Sequence, residues 1–174
     1  MDKFYYTIAQ LPALTFDKKP VLSTQEFLDE AEKWLTARDF SALMATDLRR
    51  MTPAKRDAGL YRRYQEFEAT FRQALAEWRT GRKAGQEVKP FDLPLGLVKD
   101  GNPLEVEKRL LKYRWDFLEA QEEAHHFDLG FILLYYMKLQ ILDWLAEFNA
   151  EKGLAVFQKQ SAAAVEQESV QAGL

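Results

Sequence analysis

The chain has 174 residues, of which 47% are hydrophobic and 13% aromatic, and this is enough apolar material for one well-packed domain. It contains no cysteine, which excludes disulfides, thiol catalysis and zinc sites built on thiolates. The net charge of −3 and the pI of about 5.5 argue against a surface for nucleic acid or anionic lipid.

The N-terminus lacks the basic start and the small-residue cleavage site of a signal peptide, which predicts a cytoplasmic protein. The longest apolar stretch, residues 129–137, is followed by Lys138, Gln140 and Asp143. A membrane span requires about 20 apolar residues. We therefore expect that no helix of this chain crosses a bilayer.

Charge is unevenly distributed along the chain. Residues 49–89 carry eleven Lys or Arg against five acids, whereas residues 100–128 carry eight acids against four bases. We expect the two segments to lie side by side and neutralise each other. The alternative is that the first segment forms a basic surface, which the acidic pI disfavours.

The first clear helix begins at Ser23, because Ser23 followed by Glu26 is a capping box. Before it, the aromatic cluster of residues 4–8 fits either a short strand or one helical turn, and Pro12 and Pro20 mark a connection. In the helix, one face should carry the apolar residues Phe27, Leu28, Ala31, Trp34 and Leu35. A second short helix is predicted over 40–44.

A long helix is predicted from Thr52-Pro53 to Arg79, with Thr52 as N-cap and Pro53 at the first helical position. Its apolar residues gather within an arc of about 80°: Leu60, Tyr64, Phe67, Phe71, Leu75 and Trp78. The glycines and prolines of residues 80–103 predict a loop after it.

Two further helices complete the pattern. Asn102-Pro103 with Glu105 predicts one helix start, and Asp128 predicts the next. The last helix, from Leu129 to about Lys152, is apolar nearly all the way round, which places it at the centre of a bundle. One core from three helices should bury Phe67, Phe71, Tyr113, Phe117, Leu134, Leu142 and Leu145.

These patterns predict an all-α fold, an irregular bundle of about five helices with a long central C-terminal helix. We expect a single helical domain over residues 1–160. Residues 161–174 have few apolar anchors, so we expect a mobile tail or one that docks on a partner.

The strongest candidates for a metal or catalytic site are two nested Glu-x-x-His pairs, Glu122 with His125 and Glu123 with His126. Such pairs supply half of a di-iron site in helical bundles. A complete site needs a second motif, and the chain has only these two histidines. We therefore predict no metal and interpret His125, His126 and Asp128 as a structural junction between helices.

Other catalytic motifs are missing from the sequence. It has no Gly-rich phosphate loop and no serine nucleophile in its usual turn. We predict a protein that is not an enzyme and that needs no cofactor.

Lys138 lies on an apolar face of the last helix, opposite a polar strip of Gln140, Asp143 and Glu147. A lone ammonium there is costly unless it is paired or reaches water. Either a carboxylate of the preceding helix meets it, or this face is an interface with another protein. We favour an internal pair, and the candidate partners are Asp116, Glu119 and Glu122.

Three stretches together resemble a bacterial family known as a domain of unknown function, whose genes typically lie among those of V/A-type ATP synthases. They are Tyr5-Tyr6 through Leu11-Pro12 with Phe16-Asp17, then Leu22-Ser23 to Leu35, then His125 to Asp128 with Tyr135, Lys138 to Leu142 and Gly153. The resemblance covers both ends of the chain and thins out between residues 50 and 110.

The opening of the chain is also similar to the start of the synthase C subunit (d in vacuolar pumps), in Tyr5-Tyr6 and in Leu22-Ser23. That subunit is an all-helical socket that seats the central stalk on the membrane rotor ring. It contains several helical modules, whereas this chain is long enough for only part of them.

The resemblance implies a non-enzymatic subunit or assembly protein of a V/A-type ATP synthase that contacts other protein subunits. It would be cytoplasmic and held at the membrane only through the complex, without binding nucleic acid. The candidate structural or interaction residues are Tyr5, Tyr6, His125, His126, Asp128 and Lys138. The alternative is a stand-alone helical adaptor or a homodimer.

Overall fold

A computed structural model describes residues 4–50, 58–86, 93–99 and 101–148. Within these ranges the chain is all-α, as predicted, with six α-helices, one 3-10 helix and no strand. The helices are α1 (Tyr5–Ala9), α2 (Thr24–Trp34), α3 (Ala37–Met44), α4 (Gly59–Lys83), α5 (Pro103–Glu122) and α6 (Leu129–Glu147), and the 3-10 helix Leu95–Leu97 precedes α5.

The predicted helix starts are confirmed where the cap residues are described. The Ser23 side chain accepts the Glu26 N–H at 3.3 Å, and the Glu26 carboxylate accepts the Ser23 N–H at 2.9 Å. Asn102 and Glu105 form the same reciprocal pair before α5.

α3 begins earlier than predicted because Thr36 caps it. The opening aromatic cluster, which fitted either a strand or a helical turn, proves to be the short helix α1.

The predicted bounds of α4 and α6 were wrong. The proposed start at Thr52-Pro53 lies outside the described residues, but Ala58 has a ψ of 144°, so no continuous helix runs from there into α4. α4 continues through the buried Gly81 to Lys83, beyond the predicted end at Arg79. α6 ends at Glu147 rather than near Lys152. Gly153 and the tail lie outside the described residues.

α6 is the central helix, as predicted, and packs against α5, α2 and α3. Its polar strip faces these neighbours. Gln140 accepts the Leu48 N–H at 3.0 Å and donates to the Thr46 carbonyl at 2.8 Å. Asp143 accepts a hydrogen bond from the Thr24 hydroxyl at 2.6 Å. The strip therefore fixes α2 and the chain after α3 against the central helix.

The apolar interior forms two clusters, so the prediction of one core was wrong. The larger surrounds α6, and the smaller centres on Phe71, Leu75 and Leu110. α5 contributes to both clusters, with Leu110 in the smaller and Leu111 and Trp115 in the larger. Four of the seven predicted core residues are buried, and the half-buried three are Phe67, Tyr113 and Phe117.

The half-buried rings connect α4 to α5. The Phe67 and Phe117 rings stack with centroids 4.0 Å apart, and the ring centroids of Phe71 and Tyr113 are 4.9 Å apart. The charged segments thus lie side by side, as expected. The buried ion pair between them nevertheless joins Glu68 of the basic segment to Arg114 of the acidic one.

By length and composition alone, α6 is long and apolar enough to cross a membrane. The core helix of a soluble protein passes the same test. Here 56% of the most apolar part of α6 is buried inside the bundle.

Candidate interaction surface

The aromatic side chains of α1 lie on the outside of the bundle. Tyr5 is 48% exposed and Tyr6 54%, whereas Thr7 and Ile8 are buried. The Tyr5 ring lies 5.0 Å from that of Phe127, which is 46% exposed. α1 thus forms an aromatic cluster with the turn between α5 and α6, which brings Tyr5 and Tyr6 next to the His125–Asp128 turn.

A groove runs between α1 and α2, and we call it the α1 groove. It has a volume of about 370 Å³, and it is lined by Thr7, Gln10, Leu11, Pro12, Val21, Leu22, Phe27, Glu30, Ala31 and Trp34. Phe27 is buried, whereas Val21 is 87% exposed and Trp34 56%.

Trp34 lies on the predicted apolar face of α2, since it lines the α1 groove together with Phe27 and Ala31, but its ring is exposed rather than buried. Trp34 is the last residue of that helix, since Leu35 already has an extended backbone with a ψ of 151°. Its ring lies at the rim of that groove.

Exposed apolar side chains are concentrated here. Of the eight large ones in the described residues, five lie in this region: Tyr5, Tyr6, Val21, Trp34 and Phe127. We call these five residues and the α1 groove the α1 surface. Large exposed apolar patches are uncommon on monomers and mark sites of interaction.

The turn between α5 and α6 is held by a short hydrogen-bond chain. His125 Nδ1 lies 2.7 Å from Asp128 Oδ2, and Asp128 Oδ1 accepts the Phe131 N–H at 2.9 Å, capping α6. Burial acts to raise the pKa of Asp128, but these hydrogen bonds outweigh it and lower that pKa. The predicted structural junction therefore exists, whereas His126 is exposed.

Gly130 is a part of this junction that the sequence analysis missed. A Cβ atom at this position would lie 2.3 Å from His125 Nδ1. We expect Gly130→Ala to displace the imidazole and to lower the free energy of unfolding by about 1–3 kcal/mol, the usual cost of overpacking. Denaturant unfolding would measure this, with Gly59→Ala, where no atom lies within 4 Å, as the control. Equal stability of both variants would show that the ring does not pack on Gly130.

No group of three or more His, Asp or Glu in the described residues could hold a metal. His125 already binds Asp128 through Nδ1. We expect elemental analysis of the purified protein to find no stoichiometric iron, zinc or manganese. About one metal per chain, lost in His125→Ala, would overturn this prediction.

Lys138 is paired internally, as favoured from the sequence. Its Nζ lies 2.8 Å from Glu122 and 3.7 Å from Glu119, and 4.8 Å from the centre of the Trp115 ring. Asp116, the third candidate, pairs with Lys112 instead. The lysine is 4% exposed, so it lies inside the bundle and does not contribute to the α1 surface.

Lys138→Met should lower the free energy of unfolding by about 1–3 kcal/mol, the range for hydrogen bonds to charged groups. The cost stays below that of a fully buried pair because the Glu122 side chain is 27% exposed and water can solvate it. A thermal melt would measure the loss. If Lys138→Met left the melting temperature unchanged but weakened binding to a partner protein, Lys138 would instead be an interface residue.

A larger groove of about 760 Å³ lies between α4 and α5. The half-buried rings of Phe67, Tyr113 and Phe117 line it, with Arg63 and Glu66 also on its wall. Leu93, also in its wall, directly follows residues outside the described part of the chain.

Comparisons of the chain with models of protein families, with curated proteins and with solved structures found no match.

Proposed function

We propose that this chain is a non-enzymatic helical protein that binds another protein through the α1 surface. The observation that carries the proposal is the concentration of five exposed large apolar side chains around one short helix. Many polar and charged side chains outside this surface bind partners within the fold. Lys138, the Asp128 cap and the polar strip of α6 all have internal partners.

The finer proposal is that the partner belongs to a V/A-type ATP synthase, with this chain acting as a subunit or assembly protein similar to the C subunit. The residues that carry the resemblance support it. Tyr5 and Tyr6 are exposed on the α1 surface, and Leu11, Pro12 and Leu22 line its groove. In this proposal the protein is cytoplasmic and meets the membrane only through the complex.

Co-purification tests the proposal. Tagged protein from cells that make the synthase should recover its A and B subunits. The double variant Tyr6→Ser/Trp34→Ser should lose them while keeping its circular dichroism spectrum, because both side chains are more than half exposed.

Met44→Ser is the matched control, since Met44 is 50% exposed on α3, outside the α1 surface. It should recover the subunits like the unaltered protein. Recovery of the protein alone, from cells with abundant synthase, would contradict the synthase assignment. A concentration-dependent dimer that Tyr6→Ser/Trp34→Ser abolishes would favour the homodimer alternative.

A further inference from the structure

We propose that residues 4–17 open from the bundle as one unit while the rest of the described chain stays folded. We call these residues the N-terminal strap. The strap consists of α1 and the irregular chain that follows it, and it ends before the capping box of α2. Opening separates the two walls of the α1 groove, because Leu11 and Pro12 belong to the strap whereas Phe27 and Trp34 belong to α2.

The closed strap lies against one buried ring of each of three helices. The Tyr135 hydroxyl of α6 donates to the Pro12 carbonyl at 3.0 Å. The Phe16 ring meets that of Trp115 in α5 edge-on, with centroids 5.7 Å apart. Phe27 of α2 lines the α1 groove together with strap residues. These three rings are at most 4% exposed, so the strap helps to cover an apolar face built by α2, α5 and α6.

The contacts that hold the strap closed are side-chain contacts of modest strength. A neutral hydrogen bond such as that of Tyr135 contributes little net stability. Asp17 lies 3.2 Å from Lys108 Nζ, but both side chains are more than a third exposed, and exposed pairs contribute little. At the other end of the strap, the Tyr5 and Phe127 rings meet on the surface.

Burial separates the strap from the core helices. α1 buries two of its five residues, Thr7 and Ile8, whereas α6 buries ten of its nineteen. Elements with few buried contacts open at a lower free energy than the core does. The strap is nevertheless closed most of the time, because the half-buried Leu11, Leu14 and Phe16 pack against the larger cluster.

The chain after the strap has the features of a hinge. Asp17 has a φ of 60°, in the left-handed region that is strained for residues with a Cβ atom. Lys18, Lys19 and Val21 are exposed, and Ser23 fixes the start of α2. A few loop residues of this kind can absorb the change in backbone angles. The strap can therefore open without disturbing α2, and release of the Asp17 strain offsets part of the cost.

The opening has a consequence for binding that rests on the proposed function. Tyr5 and Tyr6 lie on the strap and Trp34 lies on α2, so the closed strap is the state that presents the complete α1 surface. A partner bound across the α1 groove would hold the strap closed. The opening itself can be measured without any partner.

Hydrogen exchange of the full chain, followed residue by residue by NMR, tests the proposal. The Ile8 N–H donates to the Phe4 carbonyl at 2.9 Å, and the Leu11 N–H to the Ile8 carbonyl at 3.1 Å, so both amides report on the closed strap. Both should exchange more than about tenfold faster than the buried amides of α6, because a local opening costs less than global unfolding.

Two variants test whether the strap opens as one unit. Phe16→Ala should speed the exchange of both Ile8 and Leu11 by about tenfold or more, through lost apolar contact at a distant point of the strap. Tyr135→Phe keeps the ring and removes the hydrogen bond to Pro12, so it should speed exchange by about fivefold.

Matched controls make the same changes outside the strap. Phe40 of α3 is also half-buried against the larger cluster, so Phe40→Ala is the control for Phe16→Ala. The Tyr61 hydroxyl of α4 also donates to a backbone carbonyl, that of Asp47, so Tyr61→Phe is the control for Tyr135→Phe. Both controls should leave the exchange of the strap amides within about twofold, because the opening does not pass through global unfolding.

Three outcomes would reject the proposal. If Ile8 and Leu11 exchanged as slowly as α6, the strap would be part of the cooperative core. If Phe16→Ala left both amides unchanged, α1 would fray alone. If the controls acted as strongly as the strap variants, exchange would proceed through global unfolding. Intact co-purification beside any of these results would leave the proposed function standing, whereas loss of co-purification alone would not affect the strap.

Discussion

Replacing Arg114 with methionine should lower the free energy of unfolding by about 3–5 kcal/mol, the usual cost of breaking a buried ion pair. The Arg114 side chain is 10% exposed and that of Glu68 only 3%. Arg114 donates to both carboxylate oxygens of Glu68, at 2.8 and 2.9 Å, and to the Leu110 carbonyl. Without Arg114, the ion-pair partner that the described part of the chain leaves to the buried carboxylate is Arg72.

Denaturant unfolding would measure this loss, and two controls interpret it. Arg79→Met removes an exposed arginine that lies 3.7 Å from Glu107, so it should cost at most about 1 kcal/mol. Arg114→Met/Glu68→Leu removes both buried charges and should recover much of the lost stability. If Arg114→Met were as mild as Arg79→Met, the pair would not be buried.

Phe71→Ala should also cost about 3–5 kcal/mol, from lost transfer free energy and the cavity left behind. Phe71 is 2% exposed, it packs in the smaller cluster, and Arg114 lies over its ring at 4.8 Å. Because the two residues are in contact, the effects of Phe71→Ala and Arg114→Met should not add.

A thermal melt would measure the loss of stability in Phe71→Ala. Ala76→Gly is the comparison, because it tests helix propensity at an exposed site of the same helix, α4. That substitution should cost about 1 kcal/mol. A negligible shift for Phe71→Ala would mean that α4 does not pack on the body of the protein and that its apolar stripe is a binding surface.

The features that the sequence predicted correctly are mainly local. Ser23 with Glu26 and Asn102 with Glu105 are three residues apart, so each cap is encoded within one turn. The burial of α6 follows from its composition. The internal pairing of Lys138 was also predictable, because a lone ammonium on an apolar face needs a carboxylate from a neighbouring helix.

The features that could not be predicted from the sequence depend on the tertiary arrangement. Helical periodicity grouped Trp34 with Phe27 and Ala31 on one face of α2, but it could not show that the ring of Trp34 stays exposed in the folded chain. The two clusters join residues that are far apart along the chain, and the buried Arg114 and Glu68 likewise meet across 46 positions. The α1 surface likewise joins α1 to Phe127, which lies far along the chain.

Site-specific photocrosslinking in cells tests the central claim most directly, that the α1 surface binds a partner protein. A photoreactive amino acid would replace Tyr6, Trp34 or, as the control, Glu77 on the exposed face of α4. We expect positions 6 and 34 to crosslink to the same protein, a synthase subunit under the finer proposal, and position 77 not to do so. Absence of crosslinks at positions 6 and 34, or an equal yield at position 77, would contradict the account.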